Sequence, residues 1–211
     1  MLAGIGLLIT GPFSAIDQAE NRAARALSRD RTDFWNPISW VFSRLGNTEI
    51  VIGVCLIAVA LIWWRTREWR WSVVPLISIS LQATIFLFLT LAVGRARPPA
   101  NPMDTSPPTT SYPSGHTGAS TALYFSLLLM AATRIERPWL RRLLMGVCAA
   151  IPFLVGLARL YRGAHHISDV IAGMVNGVVC ATLVFQWYRH RARAERSAEV
   201  GGSTAPQLSP A

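Results

Sequence analysis

Apolar residues along this chain fall in long uninterrupted blocks, with polar residues gathered between them. That is the pattern of helices whose surroundings are lipid. Five blocks stand out, at about 48–64, 72–93, 117–133, 143–160 and 167–188. Each approaches the roughly 20 residues that a helical span needs, with about 17–25 tolerated. A sixth block, Leu2 to Phe13, is too short to cross a bilayer by itself. It lacks the basic leading segment and small-residue cleavage site of a signal peptide. It therefore reads as the end of a first span, either shallow or cut short at Met1. The expected fold is all-α, a polytopic membrane helical bundle of about six transmembrane helices. Residues 1–190 would form the membrane-embedded domain. Residues 191–211, charged and then containing Gly, Ser and Pro, read as a disordered cytoplasmic tail.

The polar segment 14–47 carries its own helical signal. Ser14 and Asp17 resemble a capping box. Ile16, Ala19, Ala23, Ala24 and Leu27 then recur at helical spacing, beside Arg22, Arg25 and Arg29. This fits an amphipathic helix lying in the membrane interface, or equally an ordinary solvated helix.

The connectors alternate between two sides. Segments 65–71 and 134–142 and the tail together hold eleven Arg, against eight in 14–47, 94–116 and 161–166. The positive-inside rule puts the first set in the cytoplasm and turns the second outward.

Composition agrees with a lipid environment. Of 211 residues, 52% are hydrophobic and 15% charged, whereas soluble domains hold about 45–50% and about 25%. The net charge of +9 comes entirely from Arg, with no Lys in the chain. Those Arg residues sit at block edges, so the charge reads as topogenic and nucleic-acid binding is set aside. Cys55, Cys148 and Cys180 lie inside apolar blocks without metal-ligand or CxxC spacing, and read as small buried hydrophobes.

Three polar clusters fall on the outward side. They are Gly94-Arg95-Ala96-Arg97-Pro98-Pro99, Pro113-Ser114-Gly115-His116-Thr117, and the stretch from Arg159 through Arg162 and His165-His166 to Asp169. Each alone has an ordinary explanation as a snorkelling Arg, a helix start or a polar cap. Helix packing would bring all three to one membrane face, which independent snorkelling does not require. Arg97 and Arg159 offer permanently charged planar forks suited to a phosphoryl group. Ser114 and Gly115 stand at an expected helix N-terminus, where backbone N–H groups favour an anion. His165 and Asp169 are four apart and share a helix face, so the carboxylate can hold one ring nitrogen and leave the other basic. His116, from another helix, is placed to protonate a leaving oxygen.

These clusters resemble the three signature motifs of the type 2 phosphatidic acid phosphatase superfamily, whose soluble relatives include bacterial acid phosphatases and vanadium haloperoxidases. Arg97-Pro98 completes the first motif, with Thr90 where the family has Lys. Pro113 to His116 reproduce the second intact. Ala158-Arg159, His165 and Asp169 match the third, with Ala158 in place of Ser. The resemblance implies a cofactor-free, metal-independent phosphatase of the cell membrane acting on a lipid phosphate. His165 would be the nucleophile, His116 the general acid and Asp169 the carboxylate that orients the nucleophile. Arg97, Arg159, Ser114 and Gly115 would hold phosphoryl oxygens, with Thr90 and Arg95 as further candidates. Isoprenoid diphosphate, phosphatidate and phosphatidylglycerol phosphate all remain open as substrates. The missing Lys and Ser keep a second reading in play, a non-catalytic lipid-phosphate binding or transport protein. Vanadate-dependent halide oxidation is a third, disfavoured by a short membrane-embedded chain.

Overall fold

A computed structural model describes residues 1–104 and 110–203. Among these residues the secondary structure is all helix: α1 (Leu2–Thr10), α2 (Ser14–Arg29), α3 (Trp35–Leu45), α4 (Thr48–Thr66), α5 (Trp69–Ser72), α6 (Val74–Val93), α7 (Gly115–Arg134), α8 (Pro138–Tyr161) and α9 (Ile167–Ser203).

Among the described residues four helices, α4, α6, α8 and α9, are long and apolar enough to cross a membrane. The pair α1–α2 makes a fifth only if it counts as one span, and it is bent by 81°. The protein is thus an all-α polytopic membrane bundle of four, or at most five, long apolar helices, and the expectation of about six is revised. The block at 117–133 accounts for much of the difference. It lies on α7, the most enclosed helix of the bundle, packed against α4, α6, α8 and α9. Its Thr117, Ser120, Thr121 and Ser126 are buried. Their hydroxyls bond inside the helix, as in Thr121 Oγ1 to the Thr117 carbonyl at 2.6 Å and Ser126 Oγ to the Leu123 carbonyl at 2.7 Å. A helix wrapped by other helices does not need an apolar surface of its own.

The outer helices are apolar on the outside. Leu56, Ile57 and Leu61 of α4, Leu87, Phe88 and Leu91 of α6, and Phe153 and Leu157 of α8 are all exposed. Water would not tolerate so continuous an apolar surface, and lipid does. Small residues let the central pair approach. A Cβ on Gly173 of α9 would lie 2.5 Å from the Ser114 carbonyl oxygen, and one on Gly177 would lie 2.6 Å from Thr121 Cβ. The apolar core divides into two groups. Val51, Cys55, Leu123, Tyr124 and Cys148 join α4, α7 and α8. Trp71, Val74, Met130, Val184 and Phe185 close the opposite end.

Helix α2 is amphipathic as expected, but its apolar stripe faces outward. Ile16 and Leu27 are exposed, while Asp17, Glu20 and Asn21 turn toward the bundle. The capping box does not form: Phe13 holds the N-cap position, no side chain caps it, and Ser14 is already helical. Asp17 is drawn instead to Arg95. At the other end of the chain, α9 continues past Arg191 to Ser203, where irregular chain was expected. The Arg, Ala and Glu residues there are good helix formers, and they extend a helix already nucleated in the bundle. Residues 204–211 lie outside the described residues.

The ends of the bundle sort the connectors as the block pattern implies. Hydrogen bonds join 14–47, the described parts of the next connector (94–104 and 110–114) and 161–166 at one end, including Arg31 Nε to the Tyr161 carbonyl and Ser111 N–H to the Arg95 carbonyl. At the other end Arg134 grips Glu68 through both terminal nitrogens, and Arg70 pairs with Glu195.

Candidate functional site

The end of α6, the start of α7, the end of α8 and the start of α9 meet at one end of the bundle. They carry all three polar clusters with them. Gly163 makes the tight α8–α9 connection possible. Its φ is +72°, a conformation that favours glycine, and a Cβ there would also crowd the Arg31 side chain, 2.7 Å from Nη2.

His165 sits in this connection and is buried. Its Nδ1 is 2.8 Å from the Ser111 carbonyl oxygen. A carbonyl only accepts, so Nδ1 carries the hydrogen and Nε2 keeps its lone pair. Asp169 is not the group that holds this ring nitrogen: its Oδ2 is 3.9 Å away, beyond hydrogen-bond reach. The helical spacing did bring the two residues together, but the loop before α7 comes between them. Ser111 joins them indirectly. Its hydroxyl donates to Asp169 Oδ2 at 2.5 Å while its carbonyl receives His165. Burial, and then the charge of Arg159, pushes the His165 pKa down to about 3; Asp169 and Ser111 oppose this, and Arg97 adds to it. The shift favours the neutral ring.

Asp169 is fully buried and held on all sides. Besides Ser111, it accepts from the His166 backbone N–H at 2.8 Å, from His166 Nδ1 at 3.1 Å and from Arg95 Nη1 at 2.6 Å. His166, adjacent to the expected nucleophile, has a structural position: its Nε2 meets Asn21 Oδ1 of α2 at 3.0 Å.

Arg95, expected as a phosphate contact, has its donors committed within the protein. Its five N–H groups go to Asp17, Glu20, Ser168 and Asp169. Five is all a guanidinium has. Three carboxylates and one hydroxyl thus take all of its donors. Glu20 also accepts from the Ser168 N–H and hydroxyl at the start of α9. The polar stripe of α2 thus braces the back of the site.

Arg97 and Arg159 do lie with the catalytic candidates, close enough for both charges to act on His165 and on His116. Arg97 Nη1 donates to the Ala164 carbonyl, one residue before His165. Arg159 Nη1 donates to Ser43 Oγ at 3.0 Å and Asp104 Oδ2 at 3.1 Å. Ser114 is the N-cap of α7. Its hydroxyl receives the Thr117 N–H, and its own N–H goes to the Asp169 carbonyl. Gly115 and His116 follow, so their N–H groups belong to the first turn, where helices lack internal acceptors. Gly115 packs against the ring of Phe86, which a Cβ would meet at 3.1 Å. His116 Nε2 lies 3.0 Å from Asn47 Oδ1. Thr90 lies in the last turn of α6. Its carbonyl accepts from Thr110 Oγ1, and its own hydroxyl is buried without a partner among the described residues.

Sequence reasoning missed Ser43, Asn47, Asp104 and Ser111. All four lie near helix ends or in connectors, and their partners lie far away in the chain. Only Ser111 had a nearby signal, lying two residues before the Pro113-Ser114-Gly115-His116 run.

The same arrangement of helices occurs in solved structures. A transmembrane PAP2 type phosphatidylglycerolphosphate phosphatase from Bacillus subtilis superposes with a TM-score of 0.76 at 22% identity, covering 90% of this chain and 91% of that one. LpxE of Aquifex aeolicus gives 0.57 at 17% identity, covering 78% and 93%. In sequence, phosphatidylglycerophosphatase B of Bacillus subtilis (strain 168) is 22% identical over 174 residues, covering 81% of this chain and 84% of the relative. Sphingosine-1-phosphate phosphatase 2 of Mus musculus is 36% identical over 73 residues, which are 35% of this chain; the match spans only 20% of that relative's length. The family model for the PAP2 superfamily matches residues 71–193. That stretch is more than half of the chain and holds the site residues of α6 to α9, so this multi-pass membrane protein belongs to the PAP2 superfamily.

Proposed function

We propose that this protein is a metal-independent lipid phosphate phosphatase that works through a phosphohistidine on His165. The observation that carries this reading is the bond from His165 Nδ1 to the Ser111 carbonyl. It commits the proton to one nitrogen and leaves the Nε2 lone pair of a buried, neutral ring beside two guanidinium groups.

His165 Nε2 attacks phosphorus, and the bond from phosphorus to the lipid oxygen breaks. Burial and then the charge of Arg159 favour the neutral His116 ring, so a monoanionic phosphate brings the proton that His116 passes to that oxygen as the lipid alcohol leaves. A water then attacks the phosphohistidine and His116 takes up its proton. The N–P bond breaks to release inorganic phosphate and restore His165. Arg97, Arg159 and the first-turn N–H groups at Gly115 and His116 offset the negative charge on the phosphoryl oxygens. Such transfer depends mainly on positioning and charge. Asn47 steadies the acid. Thr90, in place of a lysine, supplies no cation, so the Arg residues carry that role. Asp169 acts through Ser111, Arg95 and His166 as a brace for the nucleophile.

A substrate anchored in the bilayer fits a site at the end of a membrane bundle. The relatives' names, which specify phosphatidylglycerolphosphate and sphingosine-1-phosphate, support phosphomonoesters of lipids as the substrate class. Isoprenoid diphosphates and phosphatidate belong on the same test panel. The purified protein in detergent with EDTA should release phosphate from at least one of these lipids. His165→Ala should abolish release, along with the acid-labile phosphoenzyme trapped from a labelled substrate. An obligatory divalent metal, or normal turnover by His165→Ala, would rule the mechanism out. Tight lipid binding with no hydrolysis would favour the non-catalytic reading.

A further inference from the structure

Beside the candidate nucleophile the chain has built a second anion cradle and filled it with its own carboxylate. Arg162 Nε is 2.9 and 2.8 Å from the two Asp104 oxygens, and Arg162 Nη2 is 2.6 Å from Oδ1. Arg159 Nη1 and Ser43 Oγ reach Asp104 Oδ2 at 3.1 and 3.2 Å. Two guanidinium groups and a hydroxyl around one anion are the usual equipment for phosphate.

The cradle stands without its present occupant. Arg162 Nη1 is held by Ser39 Oγ and the Asn36 carbonyl of α3, and Arg159 Nη1 by Ser43 of the same helix. The two Arg side chains are each 5% exposed, while Asp104 is 24% exposed. The cations therefore lie deep and the carboxylate covers them from the open side.

Asp104 fills the cradle incompletely. One carboxylate faces two buried cations, and a phosphate dianion would balance both. Arg159 Nε is also buried with no hydrogen-bond partner among the described residues. A carboxylate offers two oxygens, whereas a phosphoryl group offers three. The position matters too. Asp104 lies close enough for its charge to act on His116, as does Arg159. An anion next to the candidate acid stands where substrate phosphate must come.

We propose that Asp104 is a tethered stand-in for phosphate: its carboxylate occupies a phosphoryl subsite formed by Arg159, Arg162 and Ser43, and a phosphate group displaces it on binding. Arg162 thereby becomes a phosphate ligand, and Asp104 an internal competitor that sets affinity. This deepens the phosphatase reading and rests on it for the identity of the ligand. An occupied site lowers apparent affinity by the fraction of molecules in which it is open.

The test is equilibrium binding of inorganic phosphate to the purified protein in detergent, which is readable even if no lipid is hydrolysed. Asp104→Asn keeps the shape and removes the charge, and Asp104→Ala removes the anion altogether. Both should bind phosphate about tenfold more tightly than the wild type. Adding Arg162→Gln to Asp104→Ala should reverse most of the gain. Weaker or unchanged binding in both Asp104 variants would overturn the proposal and leave the carboxylate as an aligning partner of Arg159. A general charge effect is separated by hydrogen exchange. The Met103 N–H bonds the Arg162 carbonyl beside Asp104, and displacement should speed its exchange when phosphate saturates the wild type. Slower exchange would also overturn the proposal. A parallel series with a short-chain lipid phosphate should show the same gain in its Michaelis constant if the subsite serves the lipid headgroup. A gain for free phosphate alone would confine the subsite to product. Failure of the phosphatase reading would look different, as an absence of hydrolysis with phosphate binding intact.

Discussion

Ser111 shows how much can depend on one small residue. Its N–H, carbonyl and hydroxyl go to Arg95, His165 and Asp169. The bond to Asp169 is buried, and the position of the carbonyl follows from it. Ser111→Ala keeps the carbonyl and frees it to shift. Since small misplacements of a nucleophile are costly, kcat should fall about ten- to a hundredfold with little change in KM. Ser111→Thr retains the hydroxyl and should restore most of the loss. A rise in KM with kcat unchanged would instead make the hydroxyl a substrate contact. None of this was legible beforehand. The four-residue spacing of His165 and Asp169 correctly implied that they are neighbours, but spacing along a helix says nothing of a loop inserted between two side chains. Arg95 teaches the same lesson. Two residues before Arg97, it is chemically its equal, yet Asp17 and Glu20, more than 70 residues away, decide that it braces rather than binds.

Helices α7 and α9 make the site by lying close together. Their approach at Gly173 brings the Ser114 carbonyl within 2.5 Å of where a Cβ would stand, and the neighbour is backbone, which cannot swing aside. Gly173→Ala should therefore cost about 1–3 kcal/mol by overpacking. It should also push the start of α7, with His116, away from His165. Thermal unfolding in detergent together with phosphate release would report both effects. Gly53→Ala on α4, where nothing lies within 4 Å, is the matched control and should leave phosphate release unchanged and thermal stability equal or slightly higher. Stability and phosphate release as high in Gly173→Ala as in Gly53→Ala would refute the close-approach argument. At this scale the sequence was readable where the environment is simple. Continuous apolar runs announced α4, α6, α8 and α9. Helix α7 was harder to judge, because an enclosed helix can carry buried hydroxyls that a lipid-facing one could not. The polar stripe of α2 was visible as well, but its partner, Arg95, was not.

For the molecule as a whole, the Arg bias of the connectors predicts which side the site faces. The end carrying Asp33 should be outside and the end carrying Glu136 inside. Both positions are exposed, and the three native cysteines are buried. An impermeant maleimide on intact cells should thus label Asp33→Cys and spare Glu136→Cys, with labelling of the second after permeabilisation. The opposite pattern would place the pocket in the cytoplasm.

The sequence by itself determined that the chain lives in lipid, where its main helices lie and which histidine, acid and arginines gather at one end. Those properties follow from composition, run length and short-range spacing, which are local. Tertiary structure alone decided how many helices face lipid and which arginine serves Asp169. It also decided that Ser111 stands between the carboxylate and the imidazole, and that Asp104 reaches the arginine cradle. Each of these is a contact between segments far apart in the chain, where geometry sets the partner and residue type only permits it.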